Sequence, residues 1–275
     1  MNSFSIDGSQ FKPIAIDYYP VEASKAPTII FVHGFKGFKD WGTHHLVAHF
    51  FNTQGFNFLK FNFSHNGISI KEKENFDDLK SFGENTFSKE LFDLDEVITF
   101  TLSEEAFTRP SKLFLLGHSL GGGISILQAA EDPRISKLVT WASVSRFNNL
   151  WQATQEEQWR TAGVIYTTNT RTKQQMPLNI TLLEDFEHHS EKLNINNAAK
   201  SLTQPWLIIH GDKDSGVPVA QAEELHRQNS ASVLKLIEDA DHVFGAKHPW
   251  TESHLPDKLN KVCEITSNFF SESYL

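Results

Sequence analysis

The chain has 275 residues, 39% hydrophobic and 21% charged. This balance is that of an ordinary globular protein rather than a disordered chain, and the length is enough for a sizeable core. The formal net charge of -9 and a pI near 5.8 disfavour general affinity for nucleic acid or an anionic membrane. Cys263 is the only cysteine, which rules out an internal disulfide. Its helical setting, Leu259 to Ile265, predicts a buried and unreactive thiol.

The first residues lack a basic stretch followed by an apolar one, so no signal peptide is expected. No apolar run approaches the roughly 18–20 residues of a membrane-spanning helix. A cytoplasmic protein is the resulting expectation.

Taken in order, the chain opens on a predicted hairpin: Ser3 to Ile6, the turn Asp7-Gly8, then Lys12 to Tyr19. Thr28-Ile29-Ile30-Phe31-Val32 reads as a strand buried on both faces. A helix is predicted over 40–53, with Leu46, Val47, Phe50 and Phe51 on one side, and a strand over 56–63. Residues 84–102 carry Phe87, Leu91, Leu94, Val97, Ile98 and Leu102 at helical spacing. Further strands are predicted at 112–117, 138–141, 206–209 and 233–237, with a helix after Ser119. Alternating strands and helices imply an α/β protein with a mostly parallel sheet of about eight strands, flanked on both faces.

The stretch 147–200 breaks this rhythm. It is rich in Thr, Asn and Gln, holds Trp151, Trp159 and Met176, and shows helix-like pieces but no convincing strand. We read residues 1–275 as one domain with a cap or lid inserted at about 147–200. The run Thr168 to Pro177 suggests no function of its own.

Chemistry enters at Gly117-His118-Ser119-Leu120-Gly121, between an apolar strand and a helix start. A serine there sits on a sharp strand-to-helix turn that exposes its hydroxyl above the sheet. A hydroxyl needs a base to take its proton, a carboxylate to orient that base, and donors for the oxyanion that forms. Asp214 and His242 each follow a predicted strand, and the order Ser, Asp, His suits a fold of this kind. Asp212 in the same loop and Asp241 beside His242 compete for the acid role.

The runs His33-Gly34-Phe35, Gly117 to Gly122, His210-Gly211-Asp212-Lys213-Asp214 with Val217-Pro218, and Asp241-His242 resemble the α/β-hydrolase superfamily across nearly the whole chain. Within it, the short cap and the His-Gly-x-x-Asp-x-x-Val-Pro run are most similar to dienelactone-hydrolase-like and cinnamoyl-esterase-like serine esterases. The resemblance implies Ser119 as nucleophile, His242 as general base and acid, and Asp214 as the orienting carboxylate. It implies an oxyanion hole from the backbone N–H groups of Phe35 and Leu120. Phe35-Lys36-Gly37 departs from the triple glycine of some lipases, so Phe35 is also a pocket candidate, with His118, Trp151, Trp159 and Met176.

His33 and His118 otherwise read as rings packed beneath turns. The pairs His44-His45 and His188-His189 cannot converge on one helix face. No spacing supports a metal site, and Gly121-Gly122-Gly123 lacks the Lys-Ser/Thr of a phosphate loop. No cofactor is expected.

The expected activity is hydrolysis of a small-molecule carboxylic ester with a small or medium acyl group, through an acyl-enzyme, by a monomer or homodimer. A serine peptidase or amidase, a thioesterase or acyltransferase, and a lyase could use the same three side chains. The nearest peptidase comparison is the prolyl-oligopeptidase group, whose usual large extra domain has no room in this chain. A non-catalytic binding protein is a further alternative, but it usually lacks one of the three.

Overall fold

The computed structural model describes residues 1–275 except 24, 73, 104–107 and 273–275. Its elements in chain order begin with β1 (Asn2–Asp7), β2 (Pro13–Tyr19), β3 (Thr28–Val32), α1 (His44–Thr53), β4 (Asn57–Phe61), α2 (Leu79–Gly83), α3 (Phe87–Leu102), β5 (Leu113–His118) and α4 (Leu120–Glu131). They continue with β6 (Ile135–Trp141), α5 (Glu156–Ala162), β7 (Val164–Thr168), β8 (Gln175–Asn179), α6 (Ile180–His188) and α7 (Ile195–Ser201). The last elements are β9 (Trp206–Gly211), α8 (Ala220–Gln228), β10 (Val233–Ile237) and α9 (Asp257–Ser271).

Eight strands form one sheet in the order β1-β2-β4-β3-β5-β6-β9-β10. The β1–β2 and β2–β4 pairs are antiparallel, and every pair from β4 to β10 is parallel. The central strands are apolar on both faces because helices cover both. Ile30 and Val32 of β3 pack in one core with α3 and α4. Ile29 and Phe31 pack in the other with α1 and α9. Cys263 of α9 is fully buried, and burial pushes its thiol pKa well up.

Two segments differ from the sequence expectation. The helix expected over 84–102 starts only at Phe87, because Thr86 caps α3 by accepting from the Lys89 N–H at 3.3 Å. The stretch 147–200, in which no strand was expected, contains the antiparallel pair β7–β8, with Tyr166 opposite Pro177. Its alternation is masked because the hairpin is only half buried and carries threonine, glutamine and a proline.

Candidate active site

The sheet brings three loops to one rim: the turn after β5, the loop after β9 and the loop after β10. Ser119 has φ 57° and ψ -122°, a strained conformation for any residue with a side chain. Its N–H donates to the Trp141 carbonyl at 2.9 Å, and its own carbonyl accepts from the Gly122 N–H at 3.0 Å. The turn can be this sharp because α4 lies almost against β3. A Cβ on Gly121 would stand 2.4 Å from the Val32 and His33 carbonyls. The loop after β3 also touches the serine, since a Cβ on Gly34 would lie 2.8 Å from the Ser119 Cβ.

His242 Nε2 stands 3.0 Å from the Ser119 Oγ, and its Nδ1 stands 2.7 Å from the Asp214 Oδ2. An ionised carboxylate can only accept. Nδ1 therefore carries the proton, and the Nε2 lone pair faces the serine hydroxyl. The Asp214 side chain is fully buried, and its other oxygen accepts from the N–H groups of Gly216 and Val217, each at 2.8 Å. Burial alone would raise its pKa. Hydrogen bonds from His210 and His242, the charge of His242 and the Val217 N–H outweigh it and hold the carboxyl far below the usual range.

The two rival acids sit differently. Asp212 is exposed, and its N–H donates to the Ile237 carbonyl at 3.1 Å. Asp241 closes its own turn, accepting from the N–H groups of Val243 at 3.2 Å and Gly245 at 2.8 Å.

Two histidines beside the serine bond to the main chain. His33 Nδ1 donates to the Gly34 carbonyl at 3.0 Å. Burial lowers the ring to about 4, against the opposing pull of that bond. His118 Nε2 donates to the His242 carbonyl at 3.0 Å and so holds that loop in place. Its pKa falls to about 3, through burial first and then the nearby His242 ring. His210, which opens the His-Gly-x-x-Asp run, carries no sequence signal that separates it from a packing residue. Its Nε2 donates to the Val217 carbonyl at 2.8 Å and lies 3.3 Å from Asp214 Oδ2, bracing the acid from behind.

A cavity of about 130 Å³ opens beside Ser119, walled by Phe35, Lys36, Trp41, His118, His242 and Val243. Phe35 sits in a turn closed by the Gly37 N–H to the Gly34 carbonyl at 2.9 Å, with Lys36 at φ 55°. Leu120 is the first residue of α4, where an N–H has no acceptor within the helix. Lys36, Trp41 and Val243 carry no pattern that marks them; only their nearness in sequence to Phe35 and His242 could nominate them. Trp151, Trp159 and Met176, expected among the pocket residues, do not line this cavity. They are buried in the core, where the Trp151 ring lies 5.5 Å from both Trp159 and Phe186. These large side chains are consumed in packing the inserted segment.

Another cleft, about 510 Å³, lies elsewhere, beside α3 and α4. It is lined by the Asp95–Arg134–Asp132 ion pairs and holds none of Ser119, Asp214 and His242. Among the described residues, no group of three or more His, Cys, Asp or Glu could hold a metal ion, and no helix is long and apolar enough to cross a membrane.

The sheet, the serine turn and the loops that follow β9 and β10 define a protein of the α/β-hydrolase superfamily. More narrowly, a model of the prolyl oligopeptidase family matches residues 47–255, and the chain belongs to that family of hydrolases. No curated protein matches it in sequence. Among solved structures it is similar to Est1E from Butyrivibrio proteoclasticus, with a TM-score of 0.69 and 18% identity over 98% of each chain. Est1E has also been solved with ferulic acid bound. A putative hydrolase from Agrobacterium vitis S4 gives a TM-score of 0.74 and 18% identity over 98% of each chain. A putative dienelactone hydrolase from Klebsiella pneumoniae gives 0.63 and 16%, over 99% of this chain and 98% of that one. At these identities the likeness is one of fold.

Proposed function

We propose that the protein hydrolyses carboxylic esters with a small or medium acyl group through an acyl-enzyme. The observation that carries this reading is the unbroken Ser119–His242–Asp214 line of hydrogen bonds at the rim of a cavity. Ser119 Oγ attacks the ester carbonyl as His242 Nε2 takes its proton, and Asp214 steadies the imidazolium that results. The N–H groups of Phe35 and Leu120 receive the oxyanion. Collapse of the tetrahedral species expels the alcohol oxygen, which takes the proton from Nε2. Water then repeats the sequence on the acyl-enzyme and regenerates Ser119. The cavity of about 130 Å³ favours a modest acyl group. The segment 147–200 serves as the cap of this site.

Membership of the prolyl oligopeptidase family favours a second reading, cleavage of a peptide or amide bond by the same residues. A panel of p-nitrophenyl esters of increasing acyl length, run against hydroxycinnamate esters and aminoacyl anilides, separates the two. The ester reading predicts turnover highest on short-chain esters, with kcat lowered on the order of 10⁴–10⁶-fold in Ser119→Ala. Faster turnover of the anilides than of every ester would favour the peptidase. Undiminished turnover in Ser119→Ala would overturn both.

A further inference from the structure

A second cavity, about 280 Å³, adjoins the one beside Ser119 and shares Lys36 and Trp41 with it. Three cations line it: Lys36 from the turn after β3, Arg171 from the β7–β8 turn, and Lys247 from the loop after His242. No carboxylate lines it. None of the three cations forms a salt bridge among the described residues.

Lys36 is half-buried, and its ammonium meets the Thr168 carbonyl at 3.2 Å, the Thr167 hydroxyl at 3.4 Å and the Phe35 ring at 5.3 Å from its centroid, all neutral groups. Arg171 donates through one nitrogen to the Glu74 carbonyl at 2.7 Å, which ties the β7–β8 turn to the 70s loop and leaves other donors unused. The Glu74 carboxylate is exposed, and its charge reaches the cavity only as a small influence on His248. The floor is aromatic, with Trp41 stacked on His248 at 6.1 Å between centroids. In a chain of net charge -9, three cations without a salt-bridge partner, Lys36 half-buried and Arg171 and Lys247 exposed, surround one recess beside the candidate nucleophile and make it attractive to an anion.

We propose that this cavity is a subsite for an anionic group on the substrate, so that the preferred esters carry a carboxylate or phosphate a few atoms from the scissile carbonyl. This rests on the hydrolase reading for its catalytic half only. Lys36 spans both cavities and meets the anion on the side of the ester; Arg171 and Lys247 close on it from the far walls. The shared chemistry is a compact oxyanion bound by charge-assisted hydrogen bonds.

Matched esters test it on either side of the bond. On the acyl side, the p-nitrophenyl monoester of glutarate is compared with p-nitrophenyl 5-methylhexanoate. On the alcohol side, 3-acetoxypropyl phosphate is compared with 4-methylpentyl acetate. At least one anionic member is expected to exceed its neutral counterpart in kcat/KM by on the order of 10–100-fold. That ratio is expected to collapse towards one in Arg171→Gln/Lys247→Gln, to invert in Lys247→Glu, and to shrink in high salt. Neutral esters preferred on both sides, or a ratio indifferent to both variants, would overturn the subsite.

If the wild type turns over no ester, the catalytic reading fails and the subsite is judged by calorimetry on Ser119→Ala with glutarate and inorganic phosphate. Binding that is lost in the added Arg171→Gln/Lys247→Gln changes supports it. Absence of binding, or binding unaffected by those changes, rejects it.

Discussion

Two carboxylates two residues apart in one turn meet opposite fates. Asp214 is fully buried, accepts two backbone N–H bonds and faces both His210 and His242. Asp212 is exposed to solvent. Only the first can fix the tautomer of His242 and steady its positive charge. Asp214→Asn is therefore expected to lower kcat by on the order of 10³–10⁴-fold, because the amide no longer offers two accepting oxygens to that site. Asp212→Asn is expected to leave kcat close to wild type. Steady-state kinetics on both variants, with circular dichroism to confirm folding, checks this, and a larger loss in Asp212→Asn would reverse the assignment. At this scale the sequence was informative where chemistry demands particular side chains in a particular order. It was silent on Trp41, Lys36 and Val243, whose place at the cavity depends only on how two loops bend.

At the scale of elements, the parallel strands were readable because a strand covered on both faces must be apolar throughout, as in Thr28 to Val32 and Leu113 to Leu116. The β7–β8 hairpin was not. One face is exposed, Pro177 sits inside a strand, and the pair packs on a single layer rather than in the main sheet. Lys60 is another instance. This charged side chain in β4 is only 1% exposed, because register sets it opposite Asp17 of β2. It binds Asp40 and donates to the Lys39 carbonyl at 3.0 Å. Pairing across strands, invisible along the chain, thus anchors the segment that follows the Phe35 turn.

At the scale of the whole molecule, buried titratable groups set how stability responds to pH. Burial lowers His33 to about 4 and His118 to about 3, and burial with the charges of Lys89 and Lys12 lowers His65 to about 4. His44, His45 and His248 shift the same way, again through burial first. Against an unfolded value near 6.5, the unfolded chain binds more protons than the folded one in the interval below it. The stability these rings contribute is thus complete above about pH 6.5 and is lost as the pH falls towards 4. Glu90 runs in the other direction: burial raises it to about 8, so its contribution is present below the unfolded carboxylate range and fades as the pH rises through 8. Asp93, raised by burial, acts in the same sense as Glu90. The histidines outnumber the two acids, so the melting temperature is expected to peak near neutrality, fall steeply towards pH 4 and decline gently above pH 7. Glu90→Gln should flatten the alkaline side. Calorimetry over this range checks it, and a melting temperature that rose on acidification from pH 7 would contradict the balance.

The proposed function requires that the convergence of three loops makes the Ser119 hydroxyl reactive. Intact-mass analysis after exposure to a fluorophosphonate probe tests it most directly. A single adduct is expected, mapped to Ser119 and absent from Ser119→Ala and His242→Ala proteins that remain folded. A folded wild-type protein that takes no adduct, or an adduct that persists in Ser119→Ala, would contradict it.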